Sequence, residues 1–254
     1  MIDHAPTAAL VDRFLTGIAP LVPLRALWAH GSLAGGDYRP GRSDLDLVAV
    51  LDRPCTPGEE ERLERIHRRL DADDPLAAGL HCGYGVAGEL EDPDRDHLVW
   101  AHRELYRRPI STVTRRELHD FGSVLYGDAP DALLPPVTGP QLAAYVVRDQ
   151  RDYWRPTLAH PEHWLQDIYV DLGMTTHARA TVTLRDGALI TKAAALAELR
   201  AMGAPAEVVD DIERRRYHDA PAPPTEAWLA HRANLTRAWL IPAVDALLAA
   251  HPAG

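Results

Sequence analysis

The sequence predicts an α/β domain built on a small mixed sheet, followed by an all-α C-terminal bundle. Three observations carry this expectation. The first half alternates short apolar runs with amphipathic stretches, as strands and helices do in a layered sheet domain. From Gln141 onward only helix-period segments occur. Between the halves, residues 128–140 hold four prolines and two aspartates, the composition of a linker. The predicted domains are therefore 1–130 and 138–254.

The elements follow in order. Residues 8–18 read as an amphipathic helix. Residues 24–30 are a short apolar run ending in Gly31-Ser32, a strand followed by a turn. Asp37-Tyr38-Arg39-Pro40-Gly41 is loop chemistry. Residues 45–51 are apolar apart from Asp46, as expected of a strand buried on both faces. In residues 57–70, three glutamates come early and three arginines late, which complements the helix dipole. Residues 80–87 read as a third strand, and 96–106 and 114–121 as helices. In the second half, helices are expected over 141–157, 163–184, 191–202, 206–217 and 226–250, the last kinking or breaking at Pro242. Residues 219–224 separate the final two.

Composition narrows the function. The 254 residues are 46% hydrophobic and 25% charged, enough for one large core or two small ones. The net charge of −10 argues against a general nucleic-acid binder, which needs a basic face. No apolar run is long enough to span a membrane, and residues 1–9 lack the pattern of a secretion signal. Cys55 and Cys82 are too few for a disulfide framework and read as two reduced thiols in a cytoplasmic protein. Of the 27 basic residues only Lys192 is a lysine. Arginine otherwise replaces lysine throughout, so that position points to a site wanting a compact ammonium.

The chemistry concentrates in 30–46. Asp44 and Asp46 are i and i+2 at a strand start, so their side chains project to one face. Two carboxylates held side by side repel, and a cation between them resolves the repulsion. Hard oxygen ligands suit Mg²⁺, which typically joins protein carboxylates to substrate phosphates. Gly31-Ser32 supplies the complement: glycine lets the backbone approach a phosphate, and the serine hydroxyl and nearby amides can bind it. Metal plus phosphate cradle is what nucleotidyl transfer needs. The alternative is a polar turn in which Ser43 or Asp44 caps.

Gly31-Ser32, Gly35-Gly36 and Ser43-Asp44-Leu45-Asp46, with Val124-Leu125-Tyr126-Gly127, resemble the DNA polymerase β nucleotidyltransferase superfamily, and within it the aminoglycoside adenylyltransferases of the streptomycin and spectinomycin type. The resemblance spans about 24–217. It implies that AMP passes from Mg-ATP to a hydroxyl of a cationic or polyhydroxylated small molecule, with ATP in a cleft between the two domains. It also implies an arginine and a lysine thirteen residues apart facing the triphosphate. Arg179 and Lys192 have that spacing; alternatively they are a surface arginine and a solvated helix residue.

The resemblance further implies a third carboxylate, acting as general base, on the strand after Asp46. Residues 80–86 contain neither Asp nor Glu. His81 stands in the matching position, as a proton acceptor or as a packed residue; Glu89 is a second candidate. For the acceptor, Trp164, Asp167 and Asp171 lie about a turn apart and offer stacking plus carboxylates, or else a seam tryptophan and ordinary helix charges. His97 and His102 read as surface, Trp28 and Trp100 as core. The expected partners are a nucleotide and a small molecule, with no nucleic acid or membrane, in a monomer or homodimer. The rival expectations are a nucleotide-binding regulatory module of antitoxin type and a protein adenylyltransferase.

Overall fold

The computed structural model describes residues 2–218 and 223–252. The chain divides into two units, Met1–Val137 and Thr138–Gly254. The separator expected at 219–224 falls largely outside the described residues.

The first unit is a six-stranded mixed sheet. Its strands are β1 Leu24–Ala29, β2 Leu45–Leu51, β3 Leu80–Val86, β4 Asp96–Ala101, β5 Glu104–Pro109 and β6 Ser123–Gly127, in the spatial order β5-β4-β3-β2-β1-β6. β2 and β3 pair in parallel and the other neighbours are antiparallel. A parallel pair needs a crossover, here the helix α3, Pro57–Asp73. Its start is fixed by a capping box in which Thr56 and Glu59 exchange hydrogen bonds. The remaining helices of this unit are α1 Ala5–Ile18, α2 Gly31–Ala34, α4 Thr112–Phe121 and α5 Pro130–Leu133.

β2 is buried on both faces, and alternation sorts its side chains. Leu45, Leu47, Ala49 and Leu51 join Leu10, Phe14 and Ile18 of α1 and Leu63 of α3. Val48 and Val50 join Trp28, Leu118 of α4 and Leu134. Each fully buried leucine contributes roughly 1.5–3 kcal/mol, so the strand that starts at the aspartates sits in the most heavily packed part of the unit.

Two elements differ from expectation. Residues 96–106 are not helical: they form most of the β4–β5 hairpin, closed by His102 (φ 53°) and Arg103 (φ 65°). Leu98-Val99-Trp100-Ala101 is too short to show a period, and the turn lacks the Asn-Gly or Asp-Gly that marks such hairpins. β6 was likewise not expected as a strand.

The second unit is helical: α6 Gly139–Asp149, a π-helical turn Gln150–Trp154, α7 Arg155–Thr157, a 3-10 turn Pro161–Leu165, α8 Asp167–Asp186, α9 Lys192–Ala201, α10 Ala206–Tyr217 and α11 Glu226–Ala250. α11 continues through Pro242. The helix expected over 163–184 begins only at Asp167. Val170, Met174, Ala178, Leu196, Leu199, Val209, Ile212 and Leu240 form the core. Among the described residues no helix is long and apolar enough to cross a membrane.

Candidate active site

Asp44 directly precedes β2 and Asp46 is its second residue. Their side chains are 55% and 30% exposed, so both reach solvent at the edge of a buried strand. Across the parallel ladder, Asp46 is in register with His81. His81 Nε2 lies 3.9 Å from Asp44 Oδ1 and His81 Nδ1 lies 3.8 Å from Asp46 Oδ1. Both separations exceed a hydrogen bond. The imidazole therefore stands beside both carboxylates without being locked to either. Its own side chain is only 13% exposed, and the ring of His102 lies edge-on to it, centroids 4.9 Å apart. The β4–β5 turn thus places at the site a histidine that the sequence reading treats as surface.

The Gly31-Ser32 turn follows β1, which is the other neighbour of β2. Gly31 has φ +61°, and a Cβ there would meet Asp46 Oδ2 at 2.5 Å. Glycine is required twice over, for its backbone angle and for the close approach. The Gly31 amide, expected to bind phosphate, donates instead to Glu117 Oε2 at 3.1 Å. That carboxylate also lies 3.0 Å from His30 Nδ1. Gly31 thus contributes clearance rather than a vacant donor. Ser32 is half-buried in α2. Sequence reasoning missed Glu117 because its partners are 86 and 87 residues away. Tyr38 carries a phenol raised above its ordinary range, mainly by burial, despite a hydrogen bond with Thr7, and with the negative Asp44 adding.

In the helical unit, Arg179 of α8 donates through Nε to the carbonyl of Ile190 at 2.9 Å. Ile190 is two residues before Lys192, the first residue of α9, whose start is capped by Thr191. One hydrogen bond thus ties Arg179 to the loop that carries Lys192. The acceptor residues are placed differently from expectation. Trp164 is fully buried, donates to the carbonyl of Thr157 and packs on Gly173, where a Cβ would meet its ring at 2.6 Å. A ring with no exposed face cannot stack on a ligand, so Trp164 is a core residue. Asp171 accepts two hydrogen bonds from Arg215, at 2.6 and 2.7 Å, and Asp167 lies 2.7 Å from the fully buried Arg232. Asp211 joins both arginines. Burial pushes its carboxyl up, but hydrogen bonds from Arg232 and Arg215 outweigh that and hold it below its ordinary value. The two acidic residues are therefore members of an ion-pair network joining α8, α10 and α11.

Residues 11–124 match the nucleotidyltransferase domain family. No curated protein matches the chain by sequence. Among solved structures, the chain is similar to a spectinomycin adenyltransferase, AAD(9), from Enterococcus faecialis, crystallised with ATP and spectinomycin. The TM-score is 0.74 at 17% identity, over 94% of this chain and 99% of the other. Residues 11–124 therefore resemble a nucleotidyltransferase domain, and the fold of the chain is similar to that of a spectinomycin adenyltransferase.

Proposed function

We propose that the protein is a cytoplasmic adenylyltransferase that moves AMP from Mg-ATP to a hydroxyl of an aminoglycoside-like small molecule. The observation that carries this reading is the cluster at the β2 edge: two carboxylates side by side, the Gly31 backbone against one of them, and an imidazole 3.8–3.9 Å from both. The relative crystallised with ATP and spectinomycin supports the choice of nucleotide and of acceptor class.

The donor set suits Mg²⁺. Asp44 and Asp46 offer hard oxygens on one face. Among the described residues no group of three or more His, Cys, Asp or Glu side chains is arranged to hold a metal, so the remaining ligands would be phosphate oxygens and water. When bound, the ion supplies charge neutralisation at the triphosphate. The chain's own residues do the rest. Ser32 binds the terminal phosphates, and Arg179 and Lys192 contribute the cationic partners. His81 takes the proton from the acceptor hydroxyl as its oxygen attacks the α-phosphorus; the bond to the bridging oxygen breaks and pyrophosphate leaves. Asp167 and Asp171 keep partly exposed carboxylates toward a cationic acceptor. The transferase part is 1–130 and the helical part 138–254.

A second reading is a nucleotide-binding module without catalysis. The specific observation favouring it is that β3 carries His81 and no carboxylate where it faces Asp46. The test is incubation with ATP, Mg²⁺ and a panel of aminoglycosides, followed by pyrophosphate release and the mass of the acceptor. A gain of one AMP unit on an acceptor is the expected result. ATP binding without modification of any acceptor overturns the transferase reading in favour of the module, and modification of a protein instead points to protein adenylylation.

A further inference from the structure

We infer that Glu117 is a positioning residue for nucleotide binding, acting through the Gly31 turn; this rests on the reading of Asp44 and Asp46 as the Mg-ATP site. Glu117 belongs to α4 and is only 5% exposed. A buried carboxylate is retained where it is hydrogen-bonded. One oxygen, Oε2, accepts from the Gly31 amide at 3.1 Å and lies 3.0 Å from His30 Nδ1. The other side of the same dipeptide is held to β2, where the His30 amide donates to the carbonyl of Asp46 at 3.0 Å.

His30-Gly31 is therefore pinned from two directions, by Asp46 through the backbone and by Glu117 through its side chain. The clearance between them is narrow, because the Gly31 position has no room for even a Cβ against Asp46 Oδ2. Movement of the turn by a fraction of an ångström would press it into the Asp46 carboxylate or leave that carboxylate free to rotate. α4 also backs the turn with Phe121, whose ring lies 3.4 Å from where a Gly35 Cβ would be. On this reading Glu117 acts on the turn and not on the nucleotide itself. Its effect passes through the backbone of Gly31 to the orientation of Asp46.

The test compares wild-type protein, Glu117→Ala and Glu117→Gln by calorimetric titration with ATP in Mg²⁺ and by amide hydrogen exchange at His30-Gly31. In Glu117→Ala the affinity for Mg-ATP should fall by about tenfold or more, and exchange at Gly31 should accelerate. Glu117→Gln keeps an oxygen acceptor for the Gly31 amide and should recover most of both. Equal affinity in wild-type and Glu117→Ala protein, with the melting curve preserved, overturns the inference. Equal loss in both variants also overturns it, because then the charge and not the hydrogen bond to the turn matters. If Glu117→Ala does not fold, the Glu117→Gln comparison still decides: a tenfold loss there goes against the inference. If wild-type protein itself binds no Mg-ATP, the function proposed for the site fails, and the exchange data alone then report whether Glu117 holds the turn.

Discussion

His81 faces Asp46 directly across the parallel β2–β3 ladder, with its Nδ1 3.8 Å from the carboxylate oxygen. On the function proposed above, the imidazole takes the proton of the attacking hydroxyl. Replacing His81 by Ala should therefore lower the rate of nucleotidyl transfer about 100-fold or more, while Mg-ATP affinity changes little. Single-turnover kinetics beside an ATP titration separates the two. A parallel loss of binding and rate would make His81 a packing residue.

Removing the Asp46 carboxylate should remove both metal and nucleotide. Asp46→Asn keeps the shape and the strand but loses a hard anionic ligand. Mn²⁺ binding followed by electron paramagnetic resonance, without any acceptor, is the direct measure. An unchanged Mn²⁺ titration would remove the metal from the site.

Gly31 allows a sharper steric prediction. Gly31→Ala must place a methyl group 2.5 Å from Asp46 Oδ2 at φ +61°. The backbone angle alone costs of the order of 1–3 kcal/mol in a non-glycine residue. The variant should melt at a lower temperature and lose Mg-ATP affinity together. Gly36 also has a positive φ, but a Cβ there meets nothing within 4 Å. Gly36→Ala should therefore lower the melting temperature with little effect on affinity, which isolates the contact with Asp46 as the cause.

The parts of this structure that were legible in the sequence are those encoded locally. β2 announces itself as an unbroken apolar run, α3 by its capping residues and charge order, and the Asp44/Asp46 spacing follows from strand geometry alone. The β4–β5 hairpin was not legible, because His102 and Arg103 adopt positive φ without the residues that usually signal it. Glu117 was invisible because its role is a hydrogen bond across more than eighty residues of chain. Trp164 misled for a different reason. A tryptophan one turn before Asp167 and two before Asp171 looks the same in sequence whether its ring faces a ligand or Gly173, and only packing tells them apart.

The same hairpin yields a stability prediction. His102 and Arg103 each hold a left-handed backbone conformation, at a cost of order 1 kcal/mol or more per residue. Arg103 recovers little of it through its exposed pair with Asp71. The double substitution His102→Asn with Arg103→Gly supplies the residues this turn geometry prefers. Relief of the two strained conformations, less the extra freedom glycine gives the unfolded chain, should raise the denaturation midpoint by the equivalent of about 1 kcal/mol. An unchanged or lowered midpoint would mean that the His102 contact with His81 stabilises the fold by more than the turn strains it.

Acid sensitivity should come largely from buried histidines: His67 and His97 in the sheet unit and His177 in the helical unit are all pushed down by burial. His67 is pushed down to about 3 by burial; its ring stacks on Trp100 and its Nε2 lies 2.6 Å from the Tyr84 hydroxyl. His177 is pushed down to about 4 by the same cause, against Trp239 and Gln150. In both, the folded state binds a proton less readily than the unfolded chain, whose histidines titrate near 6.5. Their stabilising effect is therefore fully present above about pH 6.5 and is lost as pH falls toward 3 and 4 respectively. Within that window each histidine contributes a slope of up to about 1.4 kcal/mol per pH unit. Urea midpoints measured between pH 7.5 and 4.5 should fall steadily for wild-type protein. His67→Phe should flatten the slope for the sheet unit only, read from the Trp28 and Trp100 fluorescence, and His177→Phe should flatten it for the helical unit only. If His67→Phe leaves the slope of the sheet unit intact, the acid response lies elsewhere, in His97, which burial also pushes down, or in the carboxylate pairs of the surface.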